Sequence, residues 1–497
     1  MALRLHNTLT GKKEEFRTLE DGVARIYVCG PTVYDYAHLG HARCYVVYDV
    51  LVRHLRASGY RVIYARNYTD VDDKILHRAA EKGEHPKALA ERFIQAFEED
   101  MERLGCDKPD IEPKVSEHIP EIIALIGRLI ERGHAYQSGD DVYFSVESFD
   151  EYGKLSHRSA DALRTGASER VSKEELERKR HPADFVLWKG GEFEGATYES
   201  PFGPGRPGWH IECSAMSMKH LGETLDLHGG GLDLVFPHHE NEIAQSECAT
   251  GKPFSNCWVH NGFVEVDKEK MSKSLGNFFT ARELFNRYEP EALRYFVMSV
   301  HYRSPLSLDW ELADDGSARA FPSIEEAEHR LETLYRARER LETLPEGRIK
   351  PIEAPTPREI SDLEGRLLRA LNDDLNMPVA LSEVSEFLRG VNELADRAMA
   401  KKGSITRAAY EEAREGFEAI SRILGLGGSE PQSILERIRD RRANERGLSR
   451  EEVEAKIQAR DEARLAKDFA KADSIRDELK ALGVELHDGP DGTRWTL

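Results

Sequence analysis

RIYVCG (25–30), HARCYVVYDVLVRHLRASGY (41–60) and RVIYARNYTD (61–70) run in close succession near the start of the chain. The outer two are short apolar runs of strand length, and the middle one carries helical spacing that ends at Ser58-Gly59, a pair suited to a helix C-terminus. Strand, helix and strand within about 45 residues make a βαβ unit, which predicts a parallel sheet of nucleotide-binding type. In such a sheet ligands sit beyond the carboxyl ends of the strands, beside helix N-termini. Cys29, Gly30, His38, Gly40 and His41 fall where the first strand gives way to the helix.

The 497 residues leave room for several domains, each with its own core. The pattern after the βαβ unit divides them. HPKALAERFIQAFEEDMERLGC continues as helix, and 117–203 breaks the rhythm with a hairpin-like SGDDVYFSVESF and the charged SERVSKEELERKRHPADF. The sheet pattern resumes at TLDLHGGGLDLVFP (224–237), read as strand, glycine turn and apolar run, then HHENEIAQSECAT as helix and FSNCWVHNGFVEV as strands. Helical periods dominate from about 280 to 430. In the last segment Leu465, Phe469, Ala472, Leu479 and Leu482 fall near one helical face, and VELHDGPDGTRWTL reads as a hairpin. The expected units are 1–116 and 204–309 as two halves of a Rossmann-type α/β domain, 117–203 as a connective insertion, 310–430 as a helical domain and 431–497 as a small helix-plus-hairpin module.

Composition removes several classes. No run approaches the roughly 18 apolar residues of a membrane span, and MALRLHNTLTGKKEEF lacks the apolar centre of a signal peptide. Six cysteines in so long a chain read as reduced thiols or metal ligands of a cytoplasmic protein rather than a disulfide framework. The net charge of −20 opposes nonspecific binding to a polyanion. Residues 431–497, however, hold 14 Lys and Arg against 15 Asp and Glu, so the other 430 residues carry −19. A near-neutral tail on an acidic protein fits either a nucleic-acid contact or a solvated helix.

His38 and His41 lie one turn apart at a predicted helix N-terminus, where N–H groups and a positive partial charge suit phosphate. Gly40 removes a side chain where a flat ring would approach. H-x-G-H alone fits a core histidine as well. Far downstream, EKMSKSLGN (269–277) places Lys270 and Lys273 on a Gly-terminated loop, able to neutralise charge on a leaving pyrophosphate. The two motifs in this order are a strong pair.

HLGH with KMSKS on an α/β sheet resembles the class I aminoacyl-tRNA synthetases. YVCGPTVYDYAHLGHAR, RNYTDVDDKI, PGWHIECSAM, DLHGGGLDLVFPHHENEIAQSE, KMSKSLGNFFT and the final DGPDGTRW are similar to the cysteinyl-tRNA synthetase family nearly end to end. The resemblance implies a zinc site made by Cys29, Cys213, His238 and Glu242. His238 and Glu242 share a helical face at i and i+4; by spacing alone His239 with Glu242 serves nearly as well, and the family pattern selects His238. Zinc takes a thiolate readily and a neutral hydroxyl poorly, so a substrate thiol can add to the metal where serine cannot. Apolar pockets discriminate by only about 1–3 kcal/mol per methylene, and metal selection avoids that limit without an editing domain. Four protein ligands also fit a closed structural zinc.

By the same resemblance Thr69, Trp209 and His228 enclose bound cysteine, Gly30 permits close approach, and Asp233 with the glycines of HGGG, Gly230 among them, lies near ribose and adenine. The implied activity is ATP-dependent formation of cysteinyl-adenylate, with Mg2+ accompanying ATP, then transfer of cysteine to the terminal adenosine of tRNA-Cys by a monomer. His38, His41, Lys270 and Lys273 would be the catalytic set. A cysteine ligase of the mycothiol pathway, which joins cysteine to an amino-sugar, would share both signatures but has no use for residues beyond about 430. A synthetase-like RNA-binding protein without catalysis would be expected to have lost signature residues. Trp495 in the closing hairpin reads equally as a base-stacking aromatic or as hairpin core.

Overall fold

In the computed structural model, residues 2–158, 177–266, 269–270, 278–312, 318–489 and 492–497 are described, and the side chains at 269–270, 312 and 318–319 are left aside. The first half of the catalytic unit is β1 (Val23–Val28), α1 (Leu39–Ala57) and β2 (Arg61–Arg66), followed by α2 (Asp73–Lys82) and α3 (Pro86–Arg103). Fourteen of the nineteen residues of α1 are buried, most of them apolar. A helix that is apolar nearly all round belongs inside a large domain, and α1 packs there against the sheet and the downstream helices.

The insertion contributes α4 (Ile119–Glu131) and an antiparallel sheet of β3 (Ala135–Ser138), β4 (Asp141–Phe144), β5 (Phe185–Gly190) and β6 (Gly205–Pro207) in sequential order. Its core, with Val142, Phe144, Leu187 and Trp188, is separate from that of the main sheet. The charged stretch within 160–180 lies largely outside the described residues.

Sheet geometry resumes with α5 (Trp209–Leu221), β7 (Leu225–Gly231), α6 (Glu240–Thr250) and β8 (Ser255–Asn261). The central sheet is fully parallel in the order β8-β7-β1-β2, so Cys29 and Gly229–Gly231 emerge side by side at its carboxyl edge. The glycines expected to form a turn lie within β7 instead. A Cβ on Gly229 would sit 2.4 Å from the Tyr48 ring, and one on Gly230 would sit 2.8 Å from Leu234. These glycines are required because α1 and the next turn press on the strand, so an extended backbone there must lack side chains. A small sheet of β9 (Val264–Val266), β10 (Glu269–Lys270) and β11 (Leu306–Leu308) follows, with α7 (Pro290–Met298) inside it in sequence.

Beyond it stand α8 (Pro322–Glu342), α9 (Leu363–Leu371), α10 (Met377–Met399) and α11 (Arg407–Leu424), whose apolar faces join one continuous core with α1. Then α12 (Pro431–Glu445) leads to α13 (Arg450–Leu465), α14 (Phe469–Ala481) and the hairpin β12 (Glu485–Gly489) and β13 (Gly492–Thr496). The single apolar face expected over 465–482 is two helices: Lys467 turns left-handed at φ 61, and Asp468 caps α14 by accepting from Lys471 N. Leu479 reaches the module's core and Ala472 is buried, while Leu465, Phe469 and Leu482 are exposed. Trp495 is a hairpin core residue, 4% exposed with the Arg439 guanidinium 4.3 Å from its ring centre, so it is closed to stacking on a base.

Candidate active site and metal centre

Cys29 follows β1, Cys213 sits in the second turn of α5, and His238, His239 and Glu242 bracket the start of α6. Three segments of sequence therefore meet at the carboxyl edge of the sheet. Cys29 Sγ lies 3.6 Å from Cys213 Sγ and 3.4 Å from Glu242 Oε1, and His238 Nε2 lies 3.0 Å from Glu242 Oε1. Tetrahedral zinc with bonds of about 2.0–2.3 Å holds its ligand atoms roughly 3.4–3.8 Å apart, and these separations approach that range. His239 Nε2 is 3.3 Å from Cys29 Sγ, so a second imidazole reaches the same point. One ligand atom each from Cys29, His238, His239 and Glu242 fits within a 4.8 Å span. Two thiols, a carboxylate and two imidazoles, all buried, match the donor preferences of zinc.

The surroundings orient these donors. His228 Nε2 is 2.9 Å from Glu242 Oε2, which leaves Oε1 turned to the sulfurs and His238. Burial opposes ionisation of Glu242, but His228 and His238 outweigh it and hold the carboxyl well below its ordinary range. Burial likewise disfavours a charged His238, and Glu242 overrides it, raising the ring to about 10. For His239 burial and the neighbouring imidazoles act together and keep it neutral. Its Nδ1 meets His260 Nε2 at 2.7 Å, while His238 Nδ1 meets His210 at 3.1 Å. Such outer partners fix which nitrogen faces a metal.

Trp209, 38% exposed, stacks on the His238 ring with centroids 4.2 Å apart. Thr69 Oγ1 donates to Glu212 Oε2 at 3.2 Å, on a buried carboxyl whose own pKa burial pushes up. His228 is fully buried beneath Glu242, which makes it a support for a ligand rather than a wall. Gly30 is dictated by the protein itself, since a Cβ there would lie 1.5 Å from Asn67 O. Asp233 is exposed just past β7.

One turn away, His38 caps α1. Its Nδ1 accepts from His41 N at 3.2 Å, and His38 N donates to His41 Nδ1 at 3.3 Å, a reciprocal capping box built from two imidazoles stacked 3.7 Å apart. With Nδ1 accepting in both, the neutral ring proton lies on Nε2 of each, the tautomer that donates to an anion at the helix N-terminus. Gly40 sits between them in the first turn. Tyr45, one turn further, donates to Cys29 O at 3.2 Å and ties this end of α1 to the donor cluster. Lys270 lies on β10 by its backbone; Lys273 falls outside the described residues.

The residues 15–316 match the family described as the class I (C) catalytic domain of tRNA synthetases, 367–427 match the DALR domain, and 447–495 match the cysteinyl-tRNA ligase anticodon binding domain. A cysteine–tRNA ligase of Anaeromyxobacter dehalogenans (strain 2CP-C) is 52% identical over the whole of both chains, and one of Geobacter metallireducens is 49% identical over the same share. The chain belongs to the cysteinyl-tRNA synthetases. The fold is also that of Mycobacterium tuberculosis methionyl-tRNA synthetase in complex with methionyl-adenylate, at TM-score 0.60 and 17% identity over 83% of this chain and 93% of that one. Among the described residues, no helix is long and apolar enough to cross a membrane.

Asn67, His210 and His260 were not singled out from the sequence, and His239 was weighed there only as the alternative to His238. Asn67 Oδ1 accepts from Gly30 N at 2.8 Å and lies 3.7 Å from Cys213 Sγ. Each follows or flanks a parallel strand near its carboxyl end or faces one from α5, so the strand-end rule applied to every His and Asn would have gathered them.

Proposed function

We propose that this chain joins L-cysteine to tRNA-Cys through cysteinyl-adenylate, with Cys29, Cys213, His238 and Glu242 holding zinc and His239 completing the wall behind Cys29. The observation that carries the reading is the meeting of two thiols, an imidazole and a carboxylate beside a helix capped by two histidines. Zinc held there would supply a thiophilic Lewis acid to which a substrate sulfur binds as thiolate. Trp209 would cover the bound amino acid, and Thr69 with Glu212 would face its polar end. The carboxylate then attacks the α-phosphorus of Mg-ATP in line and pyrophosphate leaves. His38 and His41 would donate Nε2–H to phosphate oxygens, and Lys270 and Lys273 would meet the charge that builds on pyrophosphate. No covalent enzyme intermediate is required.

The module from Arg450 onward supports an RNA acceptor over a small amino-sugar. Its exposed Phe469 and Leu465 stand beside Arg464 and Lys467, an aromatic and cationic edge of the kind that stacks unpaired bases. Cysteine-dependent ATP–pyrophosphate exchange, run against serine and followed by charging of tRNA-Cys, tests the reading together with zinc analysis of the purified protein. Exchange with no charging of any tRNA would favour the amino-sugar acceptor, and no exchange would end both.

A further inference from the structure

Arg43 follows His41 by two residues yet points away from the phosphate end of α1. It is 1% exposed, and among the described residues no carboxylate lies within ion-pair distance of it, although Glu265 of β9 favours its charge. Burial lowers its pKa to about 10, which still leaves it charged at neutral pH. A buried guanidinium with no carboxylate in direct contact is costly, and a residue such as methionine would fill the same space without that cost. What the guanidinium does instead is bind three main-chain carbonyls. Nη1 donates to Phe263 O at 2.5 Å, and Nη2 donates to Tyr302 O at 3.0 Å and to Ser304 O. Those carbonyls belong to the chain entering β9 and to the chain entering β11, two parallel neighbours of one small sheet. β10, which carries Lys270, pairs with the other edge of β9.

The far side of the 277-to-281 connection is tied to the same helix. Leu39 N donates to Phe279 O at 3.1 Å, Ala281 N donates to Ala37 O at 2.8 Å, and His38 bridges to Thr280. Residues 37 to 43 therefore grip the chain both before β9 and after residue 278. Across the 302–304 segment from Arg43 stands Asp374, 1% exposed, which accepts from Tyr302 Oη at 2.8 Å, Arg303 Nε at 2.9 Å and His6 N at 2.8 Å. Asp374 lies between α9 and α10, so one jaw of the grip belongs to the signature helix and the other to the helical bundle.

We infer that Arg43 is a positioning residue for adenylate formation: its three carbonyl contacts, opposed by Asp374, set the β9–β10–β11 sheet, and with it Lys270, at a fixed distance from His38 and His41. Only the guanidinium plane offers donors to several carbonyls at once from a fixed fork, which lysine cannot reproduce. The inference rests on the adenylating function proposed above.

The test uses full-length, zinc-loaded Arg43→Lys and Asp374→Asn beside the wild type. Three readouts are needed: exchange kinetics, single-turnover transfer of cysteine from preformed adenylate to tRNA-Cys, and thermal unfolding. Loss of an aligned charge partner in the first step predicts an exchange kcat about 100-fold lower for Arg43→Lys, the scale of removing one transition-state donor. KM for cysteine stays within about twofold and the transfer rate within about threefold, because neither depends on pyrophosphate departure. Asp374→Asn loosens the opposite jaw and gives the same split at about tenfold. Equal loss in both steps would mean a purely structural arginine and overturn the inference, as would unchanged exchange in a folded variant. Should Arg43→Lys fail to fold, the Asp374→Asn split decides alone, and its absence overturns it. Absence of exchange in the wild type would strike the proposed function instead.

Discussion

The sheet edge around Cys29 and the module after Arg450 make binding surfaces in opposite ways. At the sheet edge polar groups are buried: Cys29, Cys213, His228, His238, His239 and Glu242 are all under 5% exposed and contact one another, with His228 Nδ1 left without a hydrogen-bond partner. In the module apolar groups are exposed, with Leu465 at 86% and Phe469 at 63%, over a core centred on Val453, Ile457, Leu479 and Trp495. Burying polar donors demands partners at fixed distances and yields selectivity for one atom type. Leaving an aromatic in water costs little in a fold this small and yields a surface for bases, which present flat faces of their own. On the proposed function, the small substrate would be recognised by what the protein hides and the large one by what it leaves out.

The contrast is tested most severely at Cys213. Cys213→Ser should lower kcat/KM for cysteine by more than about a hundredfold, since even an outer partner of a metal ligand is worth about 10–100-fold. ATP affinity and the thermal midpoint should move little, and bound zinc should fall in metal analysis. Losses of equal size for ATP and cysteine would make the metal a structural one. Prolonged chelation of the wild type should reproduce the variant and leave tRNA affinity intact.

Removing the module tests the other half. The cut belongs after residue 446 rather than near 430, because Ile434 and Ile438 of α12 pack into the main core while Ala443 packs into the module. Truncation there should spare exchange within about threefold and lower tRNA charging by at least about a hundredfold, the equivalent of two bases at 1–3 kcal/mol each. Unchanged charging would remove the module from RNA recognition.

How much of this could be read in the sequence differs between the regions for the same physical reason. The parallel sheet, the insertion and the helical bundle follow from period and length, which survive without knowledge of partners. The donor set does not: Cys29 and Cys213 are 184 residues apart, and no local spacing joins them, so only the family likeness named them. Asn67 and His260 stayed hidden because their roles depend on which strand ends become neighbours, while spacing offered His239 only as an alternative to His238. In the module, periodicity put Leu465 and Phe469 on a buried face. A three-residue break at Ala466–Asp468 undid that, and a capping aspartate beside a left-handed lysine is a weak signal beside a run of apolar residues. Trp495 went the other way, into the core, because the hairpin is too short to bury anything else so large.

Phe469→Ala sharpens the comparison at single-residue scale. With most of its ring in solvent, its loss should leave the unfolding temperature and exchange unchanged and raise KM for tRNA by roughly 5- to 100-fold, the worth of one stacked base. A fall in stability with unaltered KM would return the residue to the core.

Acid should separate the two regions most gently. His54 of α1 is fully buried, its Nε2 is 3.0 Å from Asn372 Oδ1, and burial lowers its pKa to about 4. An unfolded histidine takes up its proton near 6.5, so below that value the unfolded chain binds a proton that the folded one refuses. Stability from this group is complete above 6.5 and declines as pH falls to about 4, by on the order of 2 kcal/mol already at pH 5. His260, lowered to about 3 by burial, acts in the same direction. The module's pairing is of the other kind: Arg460 and Arg464 hold Asp488 below the usual carboxylate range, so that contribution persists until the pH drops under about 4. Urea unfolding of wild type and His54→Gln at pH 7 and pH 5 reads the difference. The variant's own packing cost is the same at both values and cancels. The gap between the two proteins should therefore narrow at pH 5, and equal losses in both would mean that the buried imidazole of α1 takes up its proton across that interval as readily as an unfolded one.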